Sequence, residues 1–188
     1  MPADPAAPYD DYVRRVRDLV DYARPRDVAV EAELGELPAG VPAFSHGEGE
    51  KTDPDCARTF VGETGVDLLA VSVGNVHVSL SGRTALDLDH LNAIRRAVEI
   101  ALVLHGGTGI ADESLRQAVA MGVAKVNYGT GLKQRYLAAV RRALAGDVEN
   151  PHALLGMGGP EDVMVAGRRA VREAVLERLP ALSCAGRA

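Results

Sequence analysis

Two histidines follow aliphatic runs of this sequence, at points where strands of a parallel sheet would end. His105 closes the run ALVLH (101–105), and His77 lies four residues beyond Val73 in LLAVSV (68–73). Neighbouring strands lie about 4.8 Å apart and Zn–N bonds are about 2.0–2.1 Å long, so both rings can reach one zinc ion. The alternative is that each is an ordinary hydrogen-bonded histidine, and their separation in sequence matches no local zinc motif.

Polar side chains also mark the first and last predicted strands. Glu31 and Glu33 alternate along one strand and therefore share a face, where a carboxylate can bind a metal or transfer a proton. The alternative for this pair is a salt bridge with a neighbouring arginine. Asn127 ends the last strand, where it can hydrogen-bond a substrate hydroxyl or carbonyl group or simply cap a helix.

Two glycine-rich turns are typical of anion-binding loops. In HGGTGIADES (105–114) a strand is followed by glycines and then by the start of a helix. Glycine lets backbone N–H groups approach an anion, and a helix N-terminus adds roughly half a positive charge. The run VNYGTGLK (126–133) supplies a second such turn. We therefore expect a phosphate at these turns, although two ordinary strand–helix turns would have the same sequence pattern. The candidate residues are Gly106, Gly107, Thr108, Asn127, Gly129 and Thr130.

The elements that would position these side chains alternate along the chain. Near-continuous Val, Leu and Ala content predicts strands buried on both faces, at 28–34, 68–73, 101–105 and 124–128. Apolar periodicity, acidic helix starts and terminal glycines predict helices at 9–23, 52–65, 87–98, 111–121, 130–145 and 161–179. In the first helix the predicted buried stripe is Val13, Val16, Leu19 and Val20.

This order predicts an α/β fold with a parallel sheet, specifically a partial (βα)8 TIM barrel. Four βα units with flanking helices are half of such a barrel, and four strands cannot close one. No linker divides the chain, so residues 1–188 are expected to form a single domain. The long connection at 35–53 is expected to be a mobile loop.

Composition excludes several classes of protein. The 188 residues are 47% hydrophobic and carry a formal net charge of −5, which is unlike a disordered tail or a nucleic-acid-binding domain. No run approaches the ~20 apolar residues of a membrane span. The two cysteines form no disulfide framework, and the N-terminus lacks the apolar core of a signal peptide. A cytoplasmic location is expected.

Several of these segments together resemble the class II, zinc-dependent aldolases of fructose and tagatose bisphosphate. VAVEAELGEL (28–37) is similar to the VEAELG strand of that family. The segment 52–77 is similar to its helix–strand unit that ends in a histidine, and LVLHGGTGI with KVNYGTGLK to its block around a second histidine. The resemblance extends over about residues 10 to 188.

The resemblance implies reversible cleavage of a ketose bisphosphate to dihydroxyacetone phosphate and an aldehyde. It places His77 and His105 on two zinc ligands and Glu33 on a carboxylate near the metal. It places Gly106, Thr108, Asn127 and Thr130 on positions that bind the phosphate and hydroxyl groups. Zinc, with a monovalent cation near the phosphate, is the implied cofactor, and Glu33 and Asn127 are the candidate catalytic residues in this chain.

Three departures from the family pattern stand beside the resemblance. The first four strands of the family, with its third zinc histidine and catalytic aspartate, have no counterpart here. Val78 stands where the family has glycine after the first zinc histidine, and the acidic stretch of the mobile loop is replaced by residues 36–50. Glu48 or Glu50 would be the substitutes there.

An open half-barrel exposes two sheet edges and an incomplete ligand set, so a partner is expected. The simplest partner is a chain that supplies the N-terminal half-barrel, and the other is a second copy in a homo-oligomer. Two further functions remain open. One is a non-catalytic module that binds phosphosugars, and the other is a hydrolase that uses His77, His105 and Glu33 as a His₂Glu metal site.

Overall fold

The computed structural model describes residues 8–35, 50–76, 82–146 and 149–184. The chain forms two compact units, one extending to Asn127 and the other beginning at Tyr128. None of the helices described is long and apolar enough to cross a membrane. Both cysteines, Cys56 and Cys184, are exposed and free.

A parallel sheet forms the centre of the first unit. Its strands are β1 (Glu31–Leu34), β2 (Leu68–Val71), β3 (Ala101–Leu104) and β4 (Val123–Val126). They pair in the order β1-β2-β3-β4, and every pair is parallel. The predicted parallel sheet is therefore confirmed, with strands a few residues shorter than the aliphatic runs.

The helices of the first unit begin and end close to the predicted residues. They are α1 (Tyr9–Ala23), α2 (Pro54–Thr64), α3 (Leu88–Ala97) and α4 (Asp112–Ala120). The Asp53 side chain caps α2 by accepting from two backbone N–H groups, and Pro54 takes the first helical position. Gly65 ends α2 at φ 66°, a left-handed conformation that suits glycine.

One prediction about α1 was wrong. Val13, Val16 and Val20 are buried as expected, but Leu19 is 43% exposed. Ala23 takes the remaining buried position of the stripe. The apolar stripe of α1 is therefore narrower than its sequence suggests, and Leu19 lies beside it on an open surface.

The two faces of the sheet have opposite character. The register aligns Ala32, Leu69, Leu102 and Val123, all of which are buried. The adjacent row aligns Glu33, Ala70, Val103 and Lys125. Successive residues of a strand point to opposite faces, so the charged row shares a face with Glu31 and the apolar row packs on the other side. We call the face that bears Glu31, Glu33 and Lys125 the polar face.

The hydroxyl group of Tyr12 binds the backbone of β1. It donates to the carbonyl oxygen of Glu33 at 2.8 Å and accepts from the N–H group of Glu33 at 3.3 Å. The Tyr12 ring stacks on Phe60 of α2, with ring centroids 5.4 Å apart. Since β1 has only one neighbouring strand among the described residues, Tyr12 satisfies backbone groups that an edge strand would otherwise expose.

The second unit is helical in the part that the structure describes. It contains α5 (Thr130–Leu144), the short α6 (Pro151–Leu154) and α7 (Val163–Arg178). Gly167 lets α7 approach Tyr136 so closely that a Cβ atom there would collide with the Tyr136 ring. The buried Asp162 caps α7 and also accepts from Gly156 and Gly158, and these backbone N–H groups hold the pKa of its carboxyl group below the usual value.

We predict that Tyr12→Phe destabilises the fold while keeping the ring on Phe60. The substitution removes both hydrogen bonds to Glu33, so the free energy of unfolding should fall by about 1–3 kcal/mol in urea denaturation. Tyr9→Phe is the matched control, because the Tyr9 hydroxyl group binds the side chain of Glu63 in an exposed position. Equal stability losses for the two variants would contradict the role assigned to Tyr12.

Candidate active site

The imidazole of His105 lies between two carboxylates on the polar face. His105 Nε2 is 3.0 Å from Glu31 Oε1, and His105 Nδ1 is 3.3 Å from Glu33 Oε1. His105 follows β3 directly, and the two glutamates alternate along β1. The residue is only 5% exposed, so this contact takes place away from bulk water. Glu31 and Glu33 therefore share a face, as predicted, and both side chains contact the same histidine.

Lys125 of β4 reaches the same cluster from the far side of the sheet. Its Nζ atom lies 2.5 Å from Glu31 Oε2. Three strand spacings of about 4.8 Å separate β1 from β4, roughly 14 Å in a flat sheet. Both side chains must therefore lie across the intervening strands, above Ala70 and Val103, which are fully buried. Glu31 thus pairs with a lysine and a histidine rather than with an arginine.

The opposite charges of this cluster shift the pKa values of His105 and Glu31 so that their charged forms are favoured. Hydrogen bonding to Glu33 and then to Glu31 raises the pKa of His105 above 6.5, although burial alone would lower it. Burial would raise the pKa of Glu31, but hydrogen bonds from Lys125 and His105 outweigh it and hold this pKa below the ordinary 4.5. In the metal-free chain the three groups therefore favour a cationic imidazole and an ionised Glu31.

Asn75 is a neighbour of His105 that the sequence analysis missed. Its Nδ2 atom donates to the carbonyl oxygen of His105 at 3.0 Å, and its Oδ1 atom accepts from the N–H group of Val73 at 2.8 Å. The residue is 2% exposed. It ties the segment after β2 to the end of β3 and so fixes the backbone that carries the imidazole. The available signal was an asparagine two residues beyond the predicted strand 68–73, a position that favours bonds to the local backbone.

Some backbone groups of the glycine-rich turn after β3 are already hydrogen-bonded to other residues of the protein. Gly107 donates its N–H group to the carbonyl oxygen of Asn127 at 2.9 Å, and Asn127 donates its own to Leu104. The turn forms a 3-10 helix over Gly107–Gly109, with Gly106 preceding it at φ 69°. Helix α4 starts only at Asp112, so its N-terminus is separated from His105 by this turn. The assignment of Gly106, Gly107 and Thr108 to a phosphate stays a prediction.

The other predicted site residues are not part of the His105 cluster that the structure describes. Gly129 and Thr130 begin α5 in the second unit. His77 and Val78, together with residues 36–49, lie outside the described residues. The convergence of His77 with His105 therefore stays a prediction. Glu50 is exposed.

Two further histidines fall elsewhere in the structure. His90 Nε2 lies 2.8 Å from the carbonyl oxygen of Thr52. His152 lies in α6 and is exposed.

A cleft of about 520 Å³ opens beside the cluster. Its lining combines polar groups of the cluster with apolar surface from the exposed Leu19 and Tyr22 of α1. Its walls are Leu19, Tyr22, Ala23, Ala29, Val30, Glu31, His105, Lys125 and Asn127. A pocket with apolar walls and a few convergent polar groups is the usual form of a small-molecule site.

Comparison with known proteins places the chain in a family. Residues 5–187 match the sequence model of the family described as fructose-bisphosphate aldolase class-II. The chain belongs to this family. The membership suggested by the VEAELG and LVLHG segments is therefore confirmed.

Solved structures of aldolases share the fold. The YdjI aldolase from Escherichia coli K12 is 31% identical, with a TM-score of 0.74 over 97% of this chain. A Coccidioides immitis protein, provisionally named a fructose-1,6-biphosphate aldolase, is 28% identical, with a TM-score of 0.71 over 96% of this chain. Fructose-bisphosphate aldolase from Campylobacter jejuni shares the fold at 22% identity and a TM-score of 0.67 over 93% of this chain. The match covers 59%, 61% and 57% of these three chains, which agrees with a partial TIM barrel.

The donors around His105 suit the zinc implied by the family in kind but are incomplete in number. The polar face brings together an imidazole nitrogen and carboxylate oxygens, both of which bind zinc in proteins. Across the described ranges, no group of three His, Cys, Asp or Glu side chains is arranged to hold a metal ion. His105 and Glu33 therefore fit as a partial set that needs donors from elsewhere.

We predict that the His105 cluster stabilises the metal-free fold in a pH-dependent way. Because the folded-state pKa of His105 is raised, its contribution is complete below the ordinary value of 6.5 and is lost as pH rises through the folded-state pKa. Urea denaturation in the presence of a chelator should show the stability gap between wild type and His105→Gln narrowing as pH rises. A gap that stays constant between acidic and alkaline pH would contradict this prediction.

Proposed function

We propose that this chain supplies the C-terminal half of a zinc-dependent class II aldolase. The reaction is the reversible cleavage of a ketose bisphosphate into dihydroxyacetone phosphate and an aldehyde. The single observation that carries the proposal is the placement of His105 against Glu31 and Glu33 at one end of the sheet, in a chain of this family. A buried imidazole with two half-buried carboxylates beside an open cleft is suited to binding a reacting polar group.

The zinc ligands of the proposal are His77, His105 and Glu33. When bound, zinc acts as a Lewis acid on the ketone oxygen and stabilises the enediolate, so no lysine Schiff base is required. The contact between His105 Nδ1 and Glu33 Oε1 supports the choice of these two donors, because it brings nitrogen and oxygen to one spot. A monovalent cation near the phosphate belongs to the same proposal.

The remaining residues bind and orient the substrate. Asn127 lines the cleft with His105, which supports assigning its side chain to hydrogen-bond a substrate hydroxyl or carbonyl group. The backbone bond between Asn127 and Gly107 holds the two turns together at the ends of β3 and β4. We assign the phosphate to Gly106, Thr108 and Thr130, as the family resemblance implies, and to Gly107 and Gly129, as the glycine-rich turns indicate.

Full activity requires the other half of the barrel. The chain spans about three fifths of the length of the solved relatives, and the described residues offer fewer metal donors than a catalytic zinc site uses. We propose that an N-terminal half-barrel contributes the third histidine and the catalytic aspartate. A homo-oligomer that closes the sheet is the second arrangement. A cytoplasmic location accompanies this proposal.

The test is reconstitution with a half-barrel chain encoded beside this one. With zinc, the complex should cleave fructose or tagatose 1,6-bisphosphate, and both zinc content and cleavage should be lost on chelation. His105→Ala should lower kcat/KM by more than the roughly 10–100-fold that loss of an outer-shell partner costs. His152→Ala is the matched control, because this exposed histidine lies in α6, outside the cluster.

Three outcomes would contradict the proposal. Full zinc content in His105→Ala would remove this residue from the ligands. Tight binding of a phosphorylated ketose without cleavage would point to a phosphosugar-binding module. Hydrolytic turnover without carbon–carbon cleavage would point to a metal hydrolase.

A further inference from the structure

Three side chains form a continuous chain of contacts across the polar face. Lys125 Nζ lies 2.5 Å from Glu31 Oε2, and Glu31 Oε1 lies 3.0 Å from His105 Nε2. The other ring nitrogen, Nδ1, faces Glu33 at 3.3 Å. Each oxygen of the Glu31 carboxylate therefore has its own partner, one from β4 and one from the end of β3.

We propose that Lys125 and Glu31 are positioning residues that fix the His105 ring with Nε2 as the protonated nitrogen, leaving Nδ1 as the metal-binding atom. This inference rests on the proposed function, since Glu33, which faces Nδ1, is there a zinc ligand. Neither Lys125 nor Glu31 binds the metal or the substrate in this assignment. They act only through the orientation and tautomer of the imidazole.

The chemistry of the groups shows which atom donates and which accepts in each of these hydrogen bonds. A carboxylate only accepts hydrogen bonds, so the protonated imidazole donates from Nε2 to Glu31 and from Nδ1 to Glu33. A metal ion displaces one of these two protons, and in this assignment it is the proton on Nδ1, beside the proposed ligand Glu33. Histidines that bind metals commonly donate their second N–H group to a carboxylate, which fixes the tautomer and the plane of the ring. Glu31 supplies that carboxylate here, and its distance to the ring is shorter than that of Glu33.

Lys125 gives Glu31 a fixed orientation. A glutamate side chain has three rotatable bonds, and holding it in one geometry costs conformational entropy. The ammonium group of Lys125 binds Oε2 and leaves Oε1 directed at the ring, in a site where Glu31 is only 15% exposed. Charged hydrogen bonds of this kind are stronger than neutral ones.

The chain contains a matched comparison for Lys125. Lys51 pairs with Asp87 at 2.6 Å, and its side chain is 48% exposed against 46% for Lys125. Asp87 caps α3 and contacts no ring nitrogen in the bonds described, whereas Glu31 contacts His105. If ion pairing alone mattered, the two lysines would be equivalent. A positioning role predicts that only Lys125 affects the histidine.

The first measurement is the zinc affinity of the 188-residue chain, with zinc alone as the probe in competition with a chromophoric chelator. Lys125→Met and Glu31→Gln should each weaken zinc binding about 10–100-fold, the usual effect of losing an outer-shell partner. The double variant should bind no more weakly than Glu31→Gln, because Lys125 acts through Glu31. Lys125→Arg keeps the cation and should recover most of the affinity, while Lys51→Met should match wild type.

The second measurement needs no metal. Long-range ¹H–¹⁵N spectra of the zinc-free chain, recorded at alkaline pH where imidazoles are neutral, report which ring nitrogen carries the proton. Wild type should show His105 protonated at Nε2, and both Lys125→Met and Glu31→Gln should increase the Nδ1-protonated form. The His90 ring, which binds the Thr52 carbonyl group, is the internal reference and should not change.

Two results would overturn the inference. One is a His105 tautomer that is the same in wild type and Lys125→Met. The other is an equal loss of zinc affinity in Lys125→Met and Lys51→Met, which would indicate a general effect of ion pairs on stability. If the tautomer and affinity effects are found but the reconstituted barrel cleaves no ketose bisphosphate, the positioning role stands and the proposed activity fails.

Discussion

The contact of His105 with two carboxylates is the constraint on which the polar face depends. Burying an ionisable group without a partner is costly, and the cost is reduced only when opposite charges and hydrogen bonds surround it. His105 is 5% exposed and has a glutamate at each ring nitrogen. Removing either carboxylate would leave the cluster with an unbalanced charge at the end of a buried strand.

The sheet makes this contact possible by the way its rows align. Glu33 and Lys125 occupy the ends of one registered row, and the residues between them are Ala70 and Val103. Neither of these middle side chains carries a polar atom, and both are compact, so long side chains from the outer strands can cross above them. The row on the opposite face is aliphatic throughout and buried.

Local sequence patterns predicted the elements but not their long-range partners. The Asp53-Pro54 pair and Gly65 define α2 because capping depends on neighbouring residues alone. The pairing of Lys125 with Glu31 joins residues 94 positions apart, and that of Tyr12 with Glu33 joins residues 21 positions apart. Such contacts depend on strand order and register, so no local pattern reveals them. Leu19 was placed in the core for the same reason: periodicity indicates a helix face but not how wide the packed surface is.

In the proposed zinc site, the same cluster would link metal binding to protonation. Zinc binds an imidazole only through an unprotonated nitrogen, so metal and proton compete for the ring. In the metal-free chain, Glu33 and Glu31 both favour the proton on His105, as the raised pKa of this residue indicates. A bound dication would neutralise Glu33 in place of that proton, while the carboxylate of Glu31 would keep its own partners. The proposed roles of the two glutamates therefore differ although they share one strand and one face, because in the described part of the chain a lysine from across the sheet holds Glu31 and not Glu33.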